Sequence, residues 1–126
     1  MGELVDKIPY GSLFLICTLL HFIADFNLQG MLANLKQKEW WKKNYPQRLY
    51  EGDYITSGII HAMSWSILTF LPFCFNTNIM VVVYANAVVH YIIDHLKANR
   101  LCISLTLDQM LHVEQIVVTL AILKSL

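Results

Sequence analysis

Charge is scarce in this chain. Only 14% of its 126 residues are charged, against roughly 25% in ordinary soluble proteins. Nine basic and nine acidic residues cancel, so bulk electrostatics gives no reason to expect nucleic acid as a partner. The three cysteines (Cys17, Cys74 and Cys102) are odd in number and scattered. That excludes a disulfide framework or a cysteine metal site and leaves free, mostly buried thiols. There is no internal repeat and no low-complexity tract. The opening "MGELVDK" lacks a basic region, and no small-residue cleavage site follows, so a removable signal peptide is not expected. Asp6 stands where the myristoylation pattern wants Ser or Thr.

What the chain has instead is apolar length. Hydrophobic residues make up 56%, concentrated in four segments at about residues 10–30, 55–75, 79–97 and 106–124. Each approaches the ~20 residues that cross a hydrocarbon core. The fourth is the weakest, because Asp108, Gln109, His112, Glu114 and Gln115 crowd its first half. A soluble four-helix bundle is the competing reading, but it needs a polar stripe along every helix. Runs such as "IMVVVYANAVV" and "WSILTFLPF" have none. The expectation is therefore one all-α domain over residues 1–126, an integral-membrane bundle of four transmembrane helices.

The longest polar stretch, residues 36–53, holds five of the nine basic residues: Lys36, Lys38, Lys42, Lys43 and Arg48. Its Trp40 and Trp41 fit an interfacial aromatic belt. The third connection adds Lys97 and Arg100, whereas the second is the uncharged Asn76–Asn78. The positive-inside rule then places the first and third connections in the cytoplasm and both termini outside. Pro9 and Pro72 fall at or near helix ends. Thr106 with Gln109 has capping-box spacing, which predicts that the last helix starts there.

Inside the apolar segments, ionisable residues recur in pairs. His21 and Asp25, His90 and Asp94, and in reverse order Asp108 and His112, are each four apart. That spacing stacks them on one helix face. On the expected topology every Asp lies one turn nearer the cytoplasm than its His, and His61 joins the same layer. Each intramembrane Asp costs about 2.5–3.5 kcal/mol on insertion scales, less near the interface. Four imidazoles and three carboxylates at one depth must therefore neutralise one another. They also form the ligand set that Zn²⁺, Mn²⁺ or Fe²⁺ takes. The expected site binds one or two divalent ions, zinc foremost, through His21, Asp25, His61, His90, Asp94, Asp108 and His112. Asp25, Asp94 and Asp108 are also the candidate catalytic carboxylates. A purely structural polar network is the alternative. Gln29, Lys97 and Gln115 lie near these faces and could position a substrate or cap the bundle. His95 points away, and Glu114 lies on the opposite face, where an oligomer contact would explain it.

"HFIADFNLQG" with the downstream Lys38, "IIHAMSW", "VVHYIIDHLK" and "LDQMLHVEQI" resemble the small membrane proteins of domain-of-unknown-function family 3307, found in bacteria and phage genomes. More distantly the pattern is similar to membrane-bound metal-dependent hydrolases with HxxxD motifs on transmembrane helices. The first resemblance implies a multi-pass protein of the bacterial inner membrane, and the second implies hydrolysis. The leading expectation is a metal-dependent hydrolase whose basic loop favours an anionic substrate: a phospholipid headgroup, a lipid-linked phosphate or another phosphorylated small molecule. Its partners are then membrane lipid and, because four short helices enclose little interior, a homo-oligomer. A proton or divalent-metal carrier or channel is the alternative, although its outer-half polar trail is thin (Thr18, Ser64, Asn86). A third reading, a phage-type membrane effector with a structural metal, rests on the resemblance alone.

Overall fold

A computed structural model describes residues 5, 7–74 and 79–125, so the Asn76–Asn78 connection lies outside the described residues. The described chain is all-α, with no strand among those residues. Pro9, at φ −57° and ψ 144°, opens helix α1 (Tyr10–Phe22), which passes directly into a π-helical turn at Ile23–Asn27. There the Leu28 N–H reaches five residues back, to the Ile23 carbonyl, at 2.9 Å. Gly30 follows at φ +49°, a conformation glycine adopts without strain.

The polar stretch expected as a connection carries structure of its own. A short helix, α2 (Leu32–Leu35), precedes it, and it contains α3 (Lys38–Asn44) and a 3₁₀ turn at Arg48–Tyr50. Then come α4 (Asp53–Thr69), ended by a 3₁₀ turn containing Pro72, α5 (Met80–Ala98) and α6 (Leu105–Ser125). The α6 start differs in its cap from the expectation. Ser104 Oγ accepts the Leu107 N–H at 3.2 Å, so Ser104 caps the helix and Gln109 is free for another task.

The four long helices form a closed ring, α1 against α4 and α6, and α5 against α4 and α6. Neighbours run antiparallel: His21 meets Gln109 while Tyr10 bonds the Val117 carbonyl, and His61 meets His90 while Ser66 bonds the Val83 carbonyl. One end of the ring is filled by Leu13, Cys17, Trp65, Phe70, Val83, Ile116 and Leu120. The other end buries His21, Asp25, His61, His90, Asp94, Asp108 and His112. Outward faces are apolar on every long helix, with Leu15 and Leu19, Ile59 and Ile60, Val88 and Ile92, and Met110 and Val118 all exposed. This inverts the usual soluble pattern of apolar inside and polar outside.

Two helical stretches, Tyr10–Asn27 and Leu105–Ser125, are long and apolar enough to cross a membrane. The other two long helices do not reach that standard. The 17 residues of α4 fall short in length, and α5 is diluted by Asn86, His90, Asp94, His95 and Lys97.

Candidate metal centre

Each long helix supplies ligand-type side chains to one buried cluster. His90 and Asp94 sit one turn apart near the end of α5, with Nε2 and Oδ2 at 3.6 Å. Asp108 and His112 sit one turn apart at the start of α6, with Oδ1 and Nε2 at 3.4 Å. His61 comes from α4, and Asp25 from the π turn. That turn carries Asp25 toward the ring centre, its Oδ1 3.4 Å from His61 Nε2 and 3.8 Å from His90 Nε2. Single π turns inside α-helices are rare and occur frequently at functional sites.

Three separations test whether this cluster fits a metal. Metal–ligand bonds of 2.0–2.1 Å in a tetrahedron put ligand atoms about 3.3–3.4 Å apart. Asp25 Oδ1, His61 Nε2 and His90 Nε2 are separated by 3.4, 3.8 and 3.2 Å. A second set gathers around His112, whose Nε2 is 3.5 Å from Asp94 Oδ1 and 3.4 Å from Asp108 Oδ1. Three groups, Asp25–His61–His90, His90–Asp94–His112 and Asp25–Asp108–His112, bring ligand atoms within 4.8 Å and could hold an ion. The last contains three buried atoms with no hydrogen-bond partner, Asp25 Oδ1, Asp108 Oδ1 and His112 Nε2. Orphaned polar atoms of this kind are rare in a folded interior and call for an explanation. A cation supplies one.

The charge of the cluster is balanced either by a cation or by a proton on one imidazole. Asp25, Asp94 and Asp108 face two ammonium groups, Lys36 Nζ at 2.5 Å from Asp94 Oδ2 and Lys97 Nζ at 2.6 Å from Asp108 Oδ2. With neutral imidazoles one negative charge is left over.

His21 differs from the other three imidazoles. It is wholly buried, yet it belongs to none of the three groups. Trp65 donates its indole N–H to His21 Nδ1 at 2.8 Å, so His21 Nε2 carries the proton that is shared with Gln109 Oε1 at 3.1 Å. Gln109 Nε2 then donates to Asp25 Oδ2 at 3.1 Å and Asp108 Oδ2 at 3.0 Å. This chain orients two carboxylates and leaves their other oxygens facing the cluster. His21, expected as a ligand, has both ring nitrogens engaged by Trp65 and Gln109, which lie outside the three groups.

The other expected residues fall as follows. Lys97 binds Asp108 from the rim. Gln29 donates to the Asp25 carbonyl at 2.8 Å and so braces the π turn. Gln115 bonds the Asn86 backbone and side chain, which Thr119 also joins, in a separate polar knot one turn beyond His90. His95 stacks on Tyr54 and Tyr91 outside the cluster, and Glu114 is exposed.

Four contributors, Gln109, Lys36, Asn99 and Trp65, are not evident from the sequence alone. In the sequence Gln109 reads as a cap. Lys36 belongs to the basic loop in sequence but is buried against Asp94. Asn99 holds it there, donating to the Lys36 carbonyl at 3.0 Å and accepting the Lys38 N–H at 2.7 Å. Trp65 lies flat on His90 at 4.0 Å and 14°. Only Gln109 had a legible signal, since it is one turn beyond Leu105 and flanked by Asp108 on the inward side.

Over residues 13–126 the chain matches the family described as protein of unknown function (DUF3307), and it belongs to that family. No curated protein and no solved structure matches it.

Proposed function

We propose that this member of the DUF3307 family is an integral-membrane, metal-dependent hydrolase with four transmembrane helices and a His–Asp centre near the cytoplasmic face. Its substrate is an anionic phosphoester or lipid-linked molecule. The observation that carries the reading is the trio Asp25 Oδ1, His61 Nε2 and His90 Nε2, spaced 3.2–3.8 Å apart inside helices whose outer faces are apolar. Apolar outer faces on all four long helices support lipid contact for α4 and α5 as well. The 17 residues of α4 rise only about 25 Å at 1.5 Å each, which a locally thinned bilayer accommodates. The basic residues 36–53 lie at the same end as the His–Asp cluster, and the positive-inside rule puts that end in the cytoplasm. Both termini then lie outside, in a bacterial inner membrane on the family resemblance.

Asp25, His61 and His90 form one candidate ligand set, and His90, Asp94 and His112 form another, so the centre takes one ion or two, with zinc the best match to these donors. A bound ion supplies Lewis acidity and a nucleophilic water at neutral pH. In this reading Asp108 is the general base, because Gln109 and Lys97 hold Oδ2 and leave Oδ1 without a hydrogen bond. Lys97, partly exposed at the rim, is positioned to meet an anionic oxygen.

A carrier or channel for protons or divalent metal is the second reading. The knot of Asn86, Gln115 and Thr119 beyond His90 favours it. Against it, Leu13, Cys17, Trp65, Ile116 and Leu120 fill that end of the ring without exposure, and Ser64 faces outward.

Metal analysis of detergent-purified protein beside a His90→Ala, His112→Ala variant tests the centre. One or two equivalents of transition metal, absent from the variant, are expected, together with chelator-sensitive phosphoester hydrolysis. No metal in either protein after loading with divalent ions overturns the reading. Extraction of membranes with alkaline carbonate tests the bundle: retention in the lipid fraction is expected, and release contradicts four membrane spans.

A further inference from the structure

The segment between α1 and α4 folds around a cleft of about 320 Å³, outside the His–Asp centre. One wall is aromatic. Trp41, Tyr45 and Tyr50 pack with centroids 5.5–6.1 Å apart, Trp41 and Tyr50 being stacked. Trp41 is locked by its indole N–H, which donates to the Leu35 carbonyl at 2.6 Å. The remaining lining includes Lys38, Lys42 and Arg48 against one carboxylate, Glu51. Lys42 also pairs with Glu39 at 2.7 Å, whereas Arg48 forms no ion pair among the described residues. An unpaired planar guanidinium beside a locked aromatic wall is suited to bidentate contact with phosphate. A cleft of this size is at the lower end of small-molecule sites. It fits a headgroup, not a whole lipid.

The cleft is also joined to the centre. Lys38 lines it, while Lys36, two residues earlier, reaches Asp94. Two extended residues span at most about 7 Å, and Asn99 bonds both ends of that link. We propose that the cleft is a phosphoester-binding subsite: Arg48, Lys42 and Lys38 take the phosphate, and Trp41, Tyr45 and Tyr50 pack its organic group. That the bound molecule is also the centre's substrate rests on the hydrolytic reading above; the binding itself does not.

Trp41 gives the test its signal. Intrinsic fluorescence of the detergent-purified full chain is followed while inorganic phosphate, glycerol phosphate or dihexanoyl phosphatidic acid is added, with Trp41→Phe as the control for signal origin. Saturable quenching is expected, weakened at least tenfold in Arg48→Ala, Lys42→Ala. Quenching by phosphatidic acid alone identifies a lipid headgroup as the source of the phosphoester. Quenching by the two soluble phosphates as well identifies a soluble phosphoester. Either supports the subsite. No saturable change with any probe, or identical titrations for the double variant, overturns it. Repeating the titration after chelation separates this site from the centre: unchanged binding is expected. Binding abolished by chelation in both the parent and the double variant would move the phosphate to the metal centre and also overturn the proposal.

Discussion

The indole N–H of Trp65 donates to Nδ1 of His21 at 2.8 Å, and both side chains are wholly buried. This one bond fixes which His21 nitrogen carries hydrogen, and so fixes the direction of the chain through Gln109 to Asp25 and Asp108. Trp65→Phe keeps a ring in place but leaves His21 Nδ1 without a donor. A buried acceptor left unsatisfied costs about 1–3 kcal/mol. A lower melting temperature is expected, together with weaker metal binding, both read from thermal unfolding with and without added zinc.

Ligands and supports separate by stoichiometry. His90 belongs to two of the three candidate groups and His21 to none. His90→Ala is expected to lose bound metal. His21→Ala and Gln109→Leu are expected to keep the stoichiometry of the parent while affinity falls roughly 10–100-fold, as it does when partners behind metal ligands are removed. Metal titration monitored by mass spectrometry distinguishes the two behaviours. Full loss of metal in His21→Ala would return that residue to the ligand set.

Lys36 is the internal cation of Asp94, and both side chains are more than nine-tenths buried. Lys36→Met removes one partner of a buried pair, a change that typically destabilises by about 3–5 kcal/mol. Because a divalent ion can replace the lost positive charge, added metal should recover more stability in this variant than in the parent. Melting curves across a zinc titration check the difference, and equal recovery in both proteins would argue against it.

Gly58 lets α4 and α5 approach closely. A Cβ at this position would lie 2.8 Å from Cε2 of Tyr91, closer than real contacts allow. Tyr91 is half-buried and lies over the crevice beside Lys36 and Asp94. Gly58→Ala should therefore displace the ring at a cost of about 1–3 kcal/mol. Gly58→Ala with Tyr91→Ala should be less destabilised than the two single changes summed. Denaturant unfolding of the three variants measures that coupling.

The sequence by itself determined the four long helices, the apolar character of their outer faces and the repeated four-residue pairing of His with Asp. Those properties are local: they follow from run length and from the period of a helix, so residues 10–30 and 106–124 could be marked without knowing any neighbour. Pairing at four residues likewise placed His90 over Asp94 and His112 over Asp108. Tertiary structure decided which of those side chains gather into groups that could hold an ion and which do not. His21 and His90 have the same local pattern, but Trp65 from another helix donates to His21 Nδ1, whereas His90 turns its ring nitrogens toward His61 and His112. Gln109 reads as a cap until Ser104 takes that role and the crossing of α1 over α6 brings Asp25 within reach. Lys36 reads as a solvated loop charge until the chain turns back at Gly30 and Asn99 clamps its backbone beside Asp94. In each case the deciding contact joins residues between 44 and 88 positions apart, a separation that helical periodicity cannot encode.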